Sequence, residues 1–180
     1  MLVEQAVHSA WLSDERKAEL LLRVRHYRTE GSDMAWSVER SVETTASPEA
    51  IWRCWTDVNG WPRWVSDFEW SRLVGPFEEG GTIENKAKGL PVARVRIVTV
   101  KPRSYFRTES RLLGMHLVFD HWIEPTPTAV RIKTRMNFGG PLAPILWLVR
   151  GRAIGLSAHA SLQKLANLAV AEGGQDSPTL

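Results

Sequence analysis

The chain has 180 residues, 43% hydrophobic and 24% charged, which is typical of a globular domain with room for both a core and a pocket. Its 23 basic and 20 acidic residues leave a net charge of +3, which is too balanced to indicate nucleic-acid binding without a clustered basic patch. Cys54 is the single cysteine, which excludes an internal disulfide and a cysteine-based zinc site.

The N-terminal segment lacks the pattern of a secretory signal, since Glu4 precedes the first basic residue, Arg16. The longest apolar run, 142–149, contains a proline and is far shorter than the roughly 20 residues of a membrane-spanning helix. These features predict a cytoplasmic protein without stable membrane insertion.

Residues 1–30 have the pattern of helices, which Gly31 ends. The apolar stripe within 15–28 needs a surface to pack on. We therefore predict an N-terminal helical extension over 1–34 that docks on its own domain, on a second copy in a homodimer, or on another partner as an interaction module.

The hydrophobic period changes to two at Trp36, which predicts a first strand over 36–43. The following Ser47-Pro48-Glu49 supplies an N-cap, a proline at the first helical position and an acidic first turn. We expect the helix to run to about Val58.

Residues 51–70 hold five of the chain's nine tryptophans. They are Trp52, Trp55, Trp61, Trp64 and Trp70. So much indole needs a large apolar surface, which is either a core or the wall and mouth of a cavity.

Further strands with short turns follow, and their spacing indicates a meandering antiparallel sheet. They are predicted over 68–74, 82–88, 92–100, 105–111, 114–124 and 130–138. A long helix is then predicted over 144–171, followed by a disordered tail over 173–180. Because the sheet must cover one face with something apolar, we predict an α+β domain over 35–172 whose long helix packs on the sheet and leaves a ligand site between them.

Several short motifs occur in an order known from one superfamily. They are Ser47-Pro48-Glu49-Ala50-Ile51-Trp52, Trp61-Pro62-Arg63-Trp64, Gly75-Pro76-Phe77, Val100-Lys101-Pro102, Asp120-His121-Trp122-Ile123-Glu124-Pro125 and Gly140-Pro141-Leu142-Ala143. Over about 36–171 the chain therefore resembles the START-related, Bet v 1-like (SRPBCC) superfamily, and within it bacterial polyketide cyclase/dehydrase-like proteins. The resemblance implies a helix-grip fold, a seven-stranded curved antiparallel sheet wrapped on the C-terminal helix, with a hydrophobic small molecule as partner. It carries over no catalytic residue, since the superfamily shares no catalytic motif.

Alternation along the sixth strand puts His121 on an otherwise apolar, inward-facing row. A neutral imidazole on a cavity wall can act as a general base or donate a hydrogen bond to a carbonyl. The alternative is a structural histidine bonded within the protein. His121 is the catalytic candidate.

The other candidates come from three places. Some belong to the tryptophan cluster of residues 51–70, some lie on strands at positions predicted to face inward, and two lie seven residues apart on the long helix. The ligand-binding candidates are Trp52, Trp64, Trp70, Asn85, Thr108, Met115, Phe119, Thr134, Met136, Arg152 and His159. The row of the fourth strand is predicted to include Val95, Ile97 and Thr99. Arg152 could pair with an acidic ligand group, or simply be solvated at the cavity mouth.

Metals and nucleotide cofactors are not predicted. His116 and His121 are five apart on one strand, so they face opposite sides of the sheet and cannot share a metal. The chain has no G-x-G-x-x-G and no Walker loop. Arginines on four consecutive strands are interpreted as a solvated outer face rather than a nucleic-acid surface.

Two functions fit these observations. The first is an enzyme that binds a hydrophobic, polycyclic or polyketide-like molecule and promotes its cyclisation, dehydration or a related rearrangement. The second is a non-catalytic carrier or sensor of a lipid-like ligand.

Overall fold

The computed structural model describes residues 13–15, 17–18, 36–112, 114–140 and 142–173. Residues 14, 15, 17 and 18 are helical, and the Lys17 amide donates to the Ser13 carbonyl. The rest of the predicted extension over 1–34, and the predicted tail beyond Gly173, lie outside the described residues. The domain boundaries and the homodimer therefore stay predictions.

From residue 36 onward, the described chain forms a strand, two short helices, a run of strands and a long helix. In order these are β1 (Trp36–Thr44), α1 (Pro48–Thr56), a 3₁₀ helix (Val58–Arg63), β2 (Phe68–Val74), β3 (Thr82–Ala87), β4 (Val92–Lys101), β5 (Tyr105–Leu112), β6 (Met115–Pro125), β7 (Val130–Gly139) and α2 (Ala143–Gly173). Gly173, predicted as the start of the tail, is the last residue of α2.

The strands of the described residues form one antiparallel sheet in the order β1-β7-β6-β5-β4-β3-β2. β1 pairs with β7, and β2 to β7 form the predicted meander. α2 lies against β1 and β7 and contacts α1. The predicted fold class, α+β with a seven-stranded sheet wrapped on the C-terminal helix, is confirmed.

Local sequence sets both ends of α1. The Ser47 hydroxyl accepts a hydrogen bond from the Ala50 amide at 3.2 Å, and Pro48 occupies the first turn. α1 ends at Thr56, two residues before the predicted end, because Asp57 caps the 3₁₀ helix by accepting from the Gly60 amide at 3.2 Å. This 3₁₀ helix turns the tryptophan cluster toward the sheet.

The core lies between the inner face of the sheet and the two α-helices. Its fully buried large side chains include Ile51, Trp55, Ile83, Ile97, Phe106, Ile132 and Leu165. Burying one such side chain contributes about 1.5–3 kcal/mol. The core thus holds α1 and α2 firmly on the same face of the sheet.

Two bulges decide which face two predicted residues occupy: Trp70, chosen from the tryptophan-rich segment, and Thr99, placed by strict alternation. At the β2–β3 bulge, Phe68 pairs with Ala87 but Trp70 pairs with Lys86, so Trp70 points to the outer face with 39% of its surface exposed. At the β4–β5 bulge, Thr99 pairs with the outer-face residue Arg107. Trp70, predicted to bind the ligand, therefore lies on the outer face, and the prediction that Thr99 faces inward is wrong.

Candidate functional site

A cavity of about 270 Å³ lies between the inner face of the sheet and α2. Its wall is mostly aromatic and aliphatic. The sheet supplies Asn85, Val95, Phe106, Thr108, Phe119, His121, Thr134 and Met136. The segment from the 3₁₀ helix into β2 supplies Trp61, Trp64, Val65, Asp67 and Phe68, and α2 supplies Ile154, Ser157, Ala158, Ser161 and Leu162. Such a wall suits an apolar ligand with few polar groups.

The structure brings seven of the sequence-predicted site residues together around this cavity. They are Trp64, Asn85, Thr108, Phe119, His121, Thr134 and Met136. They come from the tryptophan cluster and from four strands whose alternation predicted an inward face. The cavity wall does not include Trp52, Trp70, Met115, Arg152 or His159.

Trp52 and Met115 pack elsewhere in the fold. Trp52 is half-buried on α1, where its ring meets Phe77 and Phe106 edge-on at 5.9 and 6.3 Å. Met115 is buried at the first position of β6. Their predicted place on the cavity wall is corrected to the surrounding core.

Arg152 and His159 lie on the wrong flank of α2. The helix turns the face carrying Ile154, Ser161 and Leu162 toward the cavity. At 3.6 residues per turn, positions 152 and 159 fall on the opposite flank, and Arg152 is exposed. The two residues share one face of the helix, as their spacing predicted, but that face is not the one that lines the cavity.

His121 sits deep in the cavity wall, held by one hydrogen bond and two rings. Its Nδ1 lies 2.9 Å from the Thr134 hydroxyl on the neighbouring strand. Phe106 stacks on the imidazole with 4.2 Å between ring centroids, and the Trp55 ring lies at 5.7 Å. Nε2 makes no hydrogen bond to any described residue, so it is the ring nitrogen left for a ligand.

The imidazole is neutral across the physiological range. Burial lowers the pKa of His121 from 6.5 to about 3, and the charge of Asp120 opposes this without cancelling it. The ring is partly accessible and lines the cavity. A neutral imidazole here can donate or accept a hydrogen bond, but its protonation is energetically unfavourable.

Some buried polar atoms in and beside the cavity wall have no protein partner. Asn85 and Trp64 are each 7% exposed, and Asn85 Oδ1 and Trp64 Nε1 are buried without a hydrogen bond. Ser71, directly across from Asn85 on β2, has a buried hydroxyl in the same condition. Unpaired buried polar atoms are costly and rare in native proteins.

Hydrogen bonds tie the rim of the cavity to α2. The Ser157 hydroxyl donates to the Asp67 carboxylate, and Lys164 donates to the Ser66 hydroxyl. Asp67 and Ser157 both line the cavity. The segment leading into β2 therefore closes one side of the site.

The outer face of the sheet carries a separate polar cluster around Asp120. This buried carboxylate accepts from the Tyr105 hydroxyl at 2.6 Å and from Arg107 Nε at 2.7 Å. Burial and the bond to Asp120 raise the pKa of Tyr105 to about 12. Although Asp120 adjoins His121 in sequence, it lies on the opposite face of the sheet and does not line the cavity.

Metal ligands do not cluster in the described residues: no group of three or more His, Cys, Asp or Glu side chains is placed to hold an ion. His116 lies on the outer face, 3.6 Å from Glu109, as its spacing from His121 predicted. No helix within the described ranges is long and apolar enough to cross a membrane.

Comparison with known families settles the classification. A family model described as polyketide cyclase / dehydrase and lipid transport matches residues 35–170. The chain belongs to this family. A search of curated proteins found no match.

Three of the solved structures with the same fold are described here. The di-domain ARO/CYC StfQ from the steffimycin biosynthetic pathway has a TM-score of 0.69 at 12% identity, over 89% of this chain and 60% of that one. Norcoclaurine synthase from Thalictrum flavum, in complex with dopamine and hydroxybenzaldehyde, has a TM-score of 0.59 at 14% identity, over 76% and 87%. The protein Ara h 8.0201 has a TM-score of 0.58 at 11% identity, over 76% and 98%. The helix-grip fold is thereby confirmed, and at these identities the likeness extends to the fold alone.

The sequence interpretation missed several cavity residues. Ser157 and Ser161 lie four apart on α2, a spacing that places two polar side chains on one helix face. Phe68 and Val65 gave no comparable signal, because their inward direction depends on the 3₁₀ helix and the bulge.

Proposed function

We propose that the chain binds a hydrophobic, polycyclic or polyketide-like small molecule in the cavity and promotes its cyclisation, dehydration or a related rearrangement. The observation that carries the proposal is the cavity itself, an apolar space of about 270 Å³ with a neutral imidazole on its wall. Membership of the polyketide cyclase / dehydrase family supports a cyclase-like, hydrophobic-ligand role.

The cavity would act first by holding a flexible chain in a folded shape. Rings such as Trp61, Phe106 and Phe119 present flat apolar surfaces to the ligand. Holding two reacting carbons in contact replaces an improbable collision by a step within one complex, and the apolar wall would displace water from around them.

His121 would act on a ligand carbonyl. Its low pKa makes proton uptake from carbon costly, so the role of general base is the weaker of the two sequence hypotheses. If the Thr134 hydroxyl donates to Nδ1, then Nε2 carries the proton and can donate to a carbonyl oxygen. Such a bond would stabilise the negative charge that develops on that oxygen during carbon–carbon bond formation.

A second candidate, the non-catalytic carrier, is favoured by the same depressed pKa. Apart from His121, the titratable side chain on the described cavity wall is Asp67, which is exposed at the rim and bonded to Ser157. A carrier requires no acid–base pair, and it would release its ligand chemically unchanged.

Native mass spectrometry of the freshly purified full-length protein tests the proposal and separates the two candidates. We expect a co-purifying hydrophobic compound, released on denaturation. Incubating that compound with fresh protein should yield a product that has lost water or has a new retention time, and His121→Phe should slow the conversion. A compound returned unchanged contradicts the enzyme and supports the carrier. Conversion at the wild-type rate by His121→Phe contradicts the role given to His121.

A further inference from the structure

We propose that the turn between β3 and β4, together with the outer-face residues beside it, docks on a membrane surface that carries anionic lipids. This hairpin patch consists of Trp70, Leu90 and Val92 with the lysines around them. The contact is peripheral and reversible, which agrees with the sequence prediction of no stable membrane insertion. The inference goes beyond the proposed function, because it concerns where the protein meets a hydrophobic ligand rather than what it does to one.

Three large apolar side chains are exposed together at one end of the sheet. Trp70 is 39% exposed, Leu90 42% and Val92 45%. Trp70 on β2 and Val92 on β4 both pair with Lys86 of β3, so the two lie in one row on the outer face, about 10 Å apart. Leu90 lies in the turn, two residues before Val92. A group of exposed apolar side chains with a polar rim is typical of an interaction surface.

Lys86 lies between the apolar side chains and carries its charge to the turn. Its Nζ donates to the Leu90 carbonyl oxygen at 2.6 Å. The methylene groups of the side chain therefore lie along the apolar row, while the ammonium group stays at its rim. Tryptophan and lysine in this arrangement are enriched where proteins meet the headgroup region of a bilayer.

Three lysines at this end of the sheet donate to uncharged oxygens. Lys86 bonds to the Leu90 carbonyl, Lys88 to the Ser66 carbonyl at 2.8 Å, and Lys164 of α2 to the Ser66 hydroxyl. Within the described ranges, no carboxylate forms an ion pair with any of them. By contrast, every lysine and arginine of β7 pairs with a carboxylate. The lysines beside the hairpin patch thus keep their charge available to a partner.

The carboxylates at the same end do not cancel this charge. Glu84 is shared between Arg72 and Arg94, so one guanidinium charge remains. Glu69 and Asp67 are exposed, and they are outnumbered by the three lysines and the remaining guanidinium. The surface therefore has a net positive charge. A lysine close to an anionic membrane surface strengthens binding about fivefold.

The hairpin patch adjoins the rim of the cavity. The Lys88 amide donates to the Asp67 carbonyl oxygen at 2.9 Å, and Phe68 pairs with Ala87 at the base of the turn. Asp67 and Phe68 both line the cavity, and Asp67 is exposed. Docking therefore brings this rim to the lipid phase, where a hydrophobic molecule of the kind proposed above is concentrated. This step alone rests on the proposed function.

A bilayer fits the hairpin patch better than a second protein does. The turn is open, because a Cβ at Gly89 would meet no atom within 4 Å beyond its chain neighbours. Three apolar side chains on an open turn are too few for a stable protein interface, which buries about 800 Å² on each partner. Reversible membrane binding needs only a small apolar area and attraction to anionic lipids.

The test is flotation of the full-length protein with two kinds of vesicle, pure phosphatidylcholine and phosphatidylcholine with about one-third phosphatidylserine. We expect binding to the anionic vesicles that weakens as salt is added. Leu90→Asp should weaken it at least about tenfold, because a carboxylate replaces an apolar side chain at the contact. Lys88→Gln should weaken it about fivefold.

The matched controls are Leu156→Asp, at a site 64% exposed on α2, and Lys101→Gln, at the far end of β4. Both should bind as the wild type does. A wild type that does not bind anionic vesicles, or an equal loss in Leu156→Asp and Leu90→Asp, overturns the proposal. Dimerisation in analytical centrifugation that Leu90→Asp abolishes, without vesicle binding, also overturns it and assigns the patch to a second copy of the chain.

A solution measurement keeps this proposal separate from the proposed function. Leu90→Asp should bind the neutral probe N-phenyl-1-naphthylamine as the wild type does, because Leu90 does not line the cavity. Probe binding without vesicle binding overturns the membrane contact and leaves the proposed function standing. Vesicle binding without probe binding overturns the proposed function and supports the membrane contact.

Discussion

Acidification from about pH 7 to about pH 4.5 should destabilise this protein through His121. In the folded chain the pKa of His121 is about 3, and the ordinary value of 6.5 applies once the chain unfolds. Between these values unfolding takes up a proton. The free energy of unfolding therefore falls as the pH falls below 6.5, and the loss is complete only near pH 3.

The size of the effect follows from the two pKa values. At pH 4.5 the unfolded imidazole is almost fully protonated and the folded one is neutral, which costs the folded state about 2.7 kcal/mol. At pH 7 the corresponding destabilisation of the folded state is about 0.2 kcal/mol. The predicted contribution of His121 to the loss is thus about 2.5 kcal/mol, a large share of the stability of an ordinary domain.

The assay is urea unfolding, followed by circular dichroism, at both pH values. His121→Gln should lose about 2.5 kcal/mol less than the wild type between them, since carboxylates titrate alike in both proteins. His116→Gln, a histidine substitution on the outer face, is the matched control and should behave as the wild type. Equal losses in wild type and His121→Gln would refute the placement of a neutral, buried imidazole on the cavity wall.

Three further predictions concern stability and reactivity. Asn85→Leu should raise the unfolding free energy of the ligand-free protein by about 1 kcal/mol or more in denaturant titration, because it removes an unpaired buried amide oxygen; a loss would contradict that. Gly140→Ala should lower stability by more than about 2 kcal/mol, since φ is +96° and the new Cβ would lie 2.6 Å from the Gly114 carbonyl oxygen. Gly89→Ala, at φ +72° in open space, should cost about half as much or less, and equal losses would show that the close contact is unimportant. Cys54 should resist iodoacetamide at pH 8 until the protein is unfolded, because burial and the bond to Glu172 raise the pKa of its thiol to about 12; rapid native labelling would refute this.

The sequence carried enough information for the architecture. The cap at Ser47, the period of two along each strand and the regular turns predicted the elements to within a few residues of their observed ends. The motifs that resemble the superfamily then predicted the sheet wrapped on α2. These signals are local, so they can be interpreted without knowing the packing.

The positions of individual site residues depended on features that sequence periodicity does not carry. One bulged residue in β2 moves Trp70 to the outer face, and a bulge in β4 does the same to Thr99. The rotation of α2 about its axis, set by its contacts with β1, decides that Ser161 rather than His159 lines the cavity. An error of one residue in register, or of half a turn in rotation, exchanges the buried and exposed faces.

The sequence also could not show which polar side chains find a hydrogen-bond partner within the protein. Thr134 was predicted as a possible ligand anchor, and it bonds instead to His121 Nδ1. Asn85 and Trp64 were chosen by position, but only the folded structure shows that their polar atoms have no protein partner.

The central claim is that the space between the sheet and α2 holds a hydrophobic molecule. Fluorescence titration with the neutral probe N-phenyl-1-naphthylamine tests it most directly, using the wild type, Ala158→Trp and Leu156→Trp. Ala158 lines the cavity, so an indole there should fill it and weaken binding at least about tenfold. Leu156, on the same helix and 64% exposed, should tolerate the same substitution without effect. Equal probe binding by all three proteins would contradict the claim.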